Sequence, residues 1–111
     1  MSYEQEAPGW VKGDGNGNFS SEFTLPNGVR KQFNGKISSA VPEFVATLSK
    51  VSYDKEGSLS GDYNFDKALV GAATISLPLE DGVGKVHITG NLNPYLTKAY
   101  TATGSGTWSS T

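Results

Sequence analysis

The chain contains no cysteine, which excludes both a disulfide framework and a thiolate metal site. It has one histidine, and a lone imidazole lacks the His or Cys companions of a zinc centre. An excess of charge of either sign is missing too. Nine Lys and Arg against eleven Asp and Glu leave a net charge of −2 with both signs scattered. No basic stripe marks a nucleic-acid binder, so nucleic acid is not an expected partner. No apolar run approaches the roughly 20 residues of a membrane-spanning helix. The opening MSYEQEAPGW has neither a basic nor an apolar region of signal-peptide type. A cytoplasmic protein, or one exported without an N-terminal signal peptide, is expected. Apolar residues at i, i+3, i+4 and i+7 are nowhere sustained, which argues against helices.

What the chain does have is alternation. With 36% hydrophobic and 18% charged residues over 111 positions, one folded domain is expected rather than disorder. In LSGDYNF the positions Leu59, Gly61, Tyr63 and Phe65 face one way and Ser60, Asp62 and Asn64 the other. LVGAATISLPL continues that phase from Leu69 through Ala73, Ile75, Leu77 and Leu79, and KVHITGNL sets Val86, Ile88 and Leu92 against His87, Thr89 and Asn91. A period of two marks strands buried on one face. The inward set also takes in Phe19, Phe23, Leu25, Val29, Phe33, Phe44, Leu48 and Tyr100.

Turn chemistry separates the runs at Pro26–Gly28, Asp54–Gly57, Glu80–Gly84 and Asn93–Tyr95. The strand near Phe44–Tyr53 changes phase, which predicts a β-bulge at Ser49–Lys50. Gly61, Gly90, Gly104 and Gly106 fall on the inward phase of otherwise good strands; such glycines mark sharp bends or close backbone approach. The expectation is an all-β fold: a small antiparallel meander of about seven or eight strands, closed as a barrel or flattened into a sandwich. Residues 1–17 read as a flexible polar segment and residues 18–111 as the single β domain.

Chemical signals are few. GDGNGNF at Gly13–Phe19 offers Asp14, Asn16 and Asn18 at the first three ligand positions of an EF-hand loop. Phe19 then stands where that loop needs Gly, and Leu25 where it needs Glu. The stretch reads as a turn, with a weak cation site of another kind as the alternative. DGVGK at Asp81–Lys85 fails the phosphate-loop spacing, because Leu79 sits where a glycine is required. His87 lies on the polar phase and faces outward. Glu80 and Asp81 sit in a wet turn, where ordinary acidity suits acid–base catalysis poorly. No cofactor, no metal and no enzymatic activity are expected.

Binding is the remaining class. Trp10, Asn93, Tyr95 and Trp108 are the candidate ligand-binding residues: aromatic faces beside an amide suit sugar rings. The same aromatics would equally well plug the ends of a barrel. A lectin-like or small-ligand module, for a small molecule or glycan, is the leading expectation. The alternative is an interaction protein that pairs with itself or another protein through an exposed sheet edge, the last strand, rich in Thr and poor in charge, being the candidate for a homodimer.

Overall fold

The computed structural model describes residues 5–38 and 40–110. Eight antiparallel strands close a barrel. They are β1 (Gln5–Gly13), β2 (Asn18–Thr24), β3 (Arg30–Ile37), β4 (Phe44–Tyr53), β5 (Gly61–Val70), β6 (Thr74–Leu79), β7 (Val86–Asn91) and β8 (Tyr100–Ser110), with a 3-10 turn at Glu56–Ser58. A 3-10 turn of this length is far short of a membrane-crossing helix, and the described residues contain no helix long and apolar enough to cross.

Around the barrel the order is β1-β2-β3-β8-β5-β6-β7-β4. β1–β3 and β5–β7 are meanders of three strands, and the fourth strand of each half lies beside its first. That arrangement, 4-1-2-3, is a Greek key, and β5–β8 repeats it as 8-5-6-7. Adding four to each strand number reproduces the same cyclic order, so the barrel has a two-fold topology. The halves join along two seams, β3–β8 and β4–β7.

Residues 5–13, expected within a flexible segment, are a barrel strand paired with both β2 and β4. Its inward positions are Ala7, Gly9, Val11 and Gly13, small residues that give almost no apolar alternation. Pro8 pairs with Lys50 on β4, whereas the β2 ladder begins only at Gly9; a residue without an N–H fits where one side of the strand is unpaired.

Two bulges invert the phase. Between Gly9–Ser49 and Val11–Ala46, Trp10 alone stands opposite Thr47 and Leu48. This is the expected β4 bulge, placed one or two residues earlier than Ser49–Lys50. It turns Leu48 outward to 75% exposure and Ser49 inward, where the Ser49 hydroxyl donates to the Ala46 carbonyl at 2.7 Å. The second lies between Phe65–Gly104 and Ala68–Ala102, where Asp66 and Lys67 oppose Thr103. It brings Ala68 and Val70 inside and leaves Leu69 exposed. Leu48 and Leu69 therefore leave the inward set, and the reason in both cases is one added residue.

The middle is packed with rings. Phe33 lies 5.5 Å from Phe19, 4.9 Å from Trp108 and 6.5 Å from Tyr63, centroid to centroid. Gly104 and Gly106 make room for them: a Cβ at Gly104 would stand 2.7 Å from the Phe65 ring, and one at Gly106 2.8 Å from the Phe33 ring. Gly61 does not share that role, since it is exposed with open space around it. β8 lies between β3 and β5, so the last strand is no edge, and among the described residues the closed barrel leaves no edge for pairing with a second copy.

Candidate functional site

The four candidate residues are not gathered into one place. Trp108 faces inward from β8, buried between Phe23 and Phe33. It belongs to the core, and no ligand reaches it without unpacking the barrel. Trp10 points outward from β1, half-buried, with the Lys12 ammonium 5.2 Å above its ring. Asn93 and Tyr95 stand exposed in the loop from β7 to β8. That loop is pinned by bonds from the Asn93 amide to the Val45 carbonyl and from the Leu96 amide to the Ala72 carbonyl.

GDGNGNF is a self-satisfied turn. Asp14 Oδ1 accepts the amides of Asn16 (2.7 Å) and Asn18 (3.1 Å), and Oδ2 accepts the Asn18 side-chain amide at 2.8 Å. Gly15 and Gly17 adopt φ of 78° and 92° to bring those donors round. The Asn18 side-chain amide, first, and the Asn16 amide hold the Asp14 carboxyl below its usual range. Asn18 Oδ1 in turn accepts the Lys36 ammonium at 2.5 Å. Both carboxylate oxygens and the amide oxygen already accept donors of the turn and of Lys36. Among the described residues no cluster of His, Asp and Glu is arranged to hold a metal.

Two contacts were not legible in the sequence. His87 Nε2 lies 2.8 Å from the Ser76 hydroxyl, diagonally across β6 and β7, and burial lowers the His87 pKa. A nucleophile of this kind also needs oxyanion donors. Ser76 is paired on both sides, with Leu69 and Thr89, so its backbone belongs to the ladder. Glu80, expected to keep ordinary acidity, is raised, first by a hydrogen bond with Asp66 at the second bulge.

Cavities lie on the outside of the barrel. Among the described residues a groove of about 460 Å³ runs over β4, β7 and β6. Cross-strand register lines it in two rows, Leu48–Asn91–Thr74 and Lys50–Thr89–Ser76. A third row, Ser52–His87–Pro78, continues the same wall. Gly90 sits opposite the inward Ser49 under the groove, and a Cβ there would overlap the Ser49 hydroxyl. Trp10 flanks it one strand away, opposite the bulge that exposes Leu48. Asn93 follows Asn91 by two residues, which puts the Asn93–Tyr95 loop at the end of the same wall. A groove of about 350 Å³ over the Asp14 turn includes Lys12, Asn18 and Glu43, and one of about 300 Å³ crosses β3, β8 and β5.

No family model, curated protein or solved structure matches this chain.

Proposed function

We propose that this protein is a non-catalytic binding module that takes a glycan or similar polyhydroxylated molecule on the outer wall of its barrel. The observation that carries the reading is the contrast between inside and outside. Eight-stranded barrels either fill their interior with side chains or enclose one small ligand. Here Phe19, Phe33, Phe65 and Trp108 pack together in it, and a groove of about 460 Å³ lies outside, over β4, β7 and β6.

The lining of that groove suits a sugar. Asn91, Thr74, Thr89 and Ser76 offer hydroxyls and an amide that both donate and accept. Leu48 supplies an exposed apolar surface, and the half-buried Trp10 beside it an aromatic one for C–H faces. The single cation in the groove, Lys50, is already paired with Glu6 at 3.1 Å, so the site carries little net charge to recruit an ionic ligand. Trp10, Asn93 and Tyr95 are retained as contributors from its borders, and Trp108 is not.

A glycan array probed with the labelled wild-type chain and with Thr89→Gln tests this. Thr89 points outward at the centre of the groove, and the longer neutral side chain fills it without adding charge. Binding to at least one glycan, weakened about tenfold or more by Thr89→Gln, supports the reading. An array without hits removes it.

A further inference from the structure

We infer that the barrel carries a second polyol-binding groove, on the opposite seam, making the chain bivalent; this rests on the reading above. The two-fold topology carries the argument. Strand β4 corresponds to β8 and β7 to β3, so the seam under the first groove, β4–β7, has its counterpart in β8–β3. Under the first groove Ser49 pairs with Gly90, and on the opposite seam Gly106 pairs with Gly35.

Each pair includes a glycine with no room for a Cβ, the space being taken by the Ser49 side chain in the first and by backbone in the second. An inward glycine lets its neighbour come close: a Cβ at Gly90 would overlap Ser49, and one at Gly35 would overlap the Ser105 carbonyl. Above the Gly35–Gly106 pair lies the groove of about 300 Å³. The two grooves each lie over a seam and differ in their third strand, β6 for the first and β5 for the second.

The second groove has its own two rows, Lys36–Ser105–Asn64 and Asn34–Thr107–Asp62. Its one ammonium and one carboxylate cancel, which favours a neutral ligand over an ionic one. The Asp62 carboxylate accepts the Thr107 hydroxyl at 2.6 Å, and Lys36 donates to Asn18. Asn34 Oδ1 accepts the Ser21 amide and the Asn64 side-chain amide donates to Asp81, so these side chains have less rotamer entropy to lose when a polyol hydrogen-bonds to them. No apolar side chain lines this groove, so it should be the weaker of the two. β4 and β8 stand four strands apart in a ring of eight, so the grooves face different directions and two glycans can be engaged at once.

Titration calorimetry with cellotetraose, chitotetraose and mannotetraose, on the wild type, Thr89→Gln, Ser105→Gln and the double variant, tests the inference. Ser105 is exposed at the centre of the second groove, and circular dichroism checks that each variant keeps its strands. The expected result is two sites per chain, one in each single variant and none in the double. A single site that Thr89→Gln removes and Ser105→Gln leaves untouched overturns the inference and keeps the proposed function. No binding of any of the three sugars, or sites insensitive to either substitution, overturns the inference, and the proposed function falls with it where the array also shows no hit.

Discussion

Gly35 and Gly106 face each other across the β3–β8 seam, and the Phe33 ring lies against Gly106 where a side chain would otherwise stand. Space, rather than backbone freedom, is what these residues supply. Gly106→Ala places a methyl 2.8 Å from the Phe33 ring and should cost about 1–3 kcal/mol by overpacking. Gly35→Ala drives a methyl into the Ser105 carbonyl, which is backbone and yields less, so it should cost more. At Gly57 nothing lies within 4 Å, and Gly57→Ala should be neutral or gain roughly 0.4–1 kcal/mol through the unfolded chain. Urea denaturation of the three variants checks the order.

Two buried tyrosines should respond in opposite ways to loss of their hydroxyl. Tyr63 donates to the Ser58 carbonyl at 2.7 Å and accepts the Gly84 amide at 3.0 Å, tying the 3-10 turn and the β6–β7 loop to the barrel. Tyr63→Phe orphans both groups and should cost about 1–3 kcal/mol. The Tyr53 hydroxyl is equally buried but has no partner among the described residues. Tyr53→Phe removes that desolvated group and should leave stability unchanged or raise it. Equal losses in the two variants would contradict this.

The Asp14 turn should be indifferent to calcium. Millimolar calcium leaves the thermal midpoint unmoved, whereas Asp14→Ala lowers it and speeds hydrogen exchange at the Asn16 and Asn18 amides that the carboxylate now accepts. A midpoint that rises with calcium in the wild type and not in Asp14→Ala would return the loop to the list of metal sites.

Acid should weaken the fold in two stages. Burial lowers the pKa of His87, so its contribution is complete above about pH 6.5 and is lost as pH falls through the folded value. The lowered carboxyls of Asp14 and of Asp54, which accepts the Ser58 hydroxyl, contribute above their ordinary pKa of 3.8 and lose that contribution at lower pH. Glu80, raised by Asp66, works the other way, stabilising below 4.5 and losing that as pH rises. His87→Gln should therefore flatten the stability profile just below pH 6.5 and leave the carboxylate drop below pH 3.8 in place, as read by denaturation at each pH.

How far the sequence could be read depended on where alternation was strong. Phe19, Phe23, Phe33, Tyr63, Phe65, Ile75, Leu77, Val86 and Ile88 alternate with polar neighbours, and all face inward. That pattern was enough for an all-β antiparallel fold of seven or eight strands, with barrel and flattened sandwich both open; the strand pairing closes it as a barrel. β1 was invisible because its inward residues are Ala, Gly, Val and Gly. Leu48 and Leu69 were misassigned because a bulge is a single residue whose position the phase of the flanking residues only brackets. The pairing of β3 with β8 and of β4 with β7 brings residues from distant parts of the chain into each groove, and no local spacing announces that. Trp108 illustrates the same limit: a tryptophan at a strand end looks alike whether it seals a core or faces water.

The wall, not the interior, is the claim on which the functional account rests. Its most direct test is an amide chemical-shift map recorded while the best-binding of the three tetrasaccharides is titrated in. The account predicts that the shifts concentrate at Leu48, Lys50, Thr89 and Asn91, with weaker ones at Lys36, Ser105 and Thr107, while the Trp108 indole stays put. Shifts centred on the Trp108 indole, Phe33 and Phe65 would place the ligand inside the barrel and contradict it.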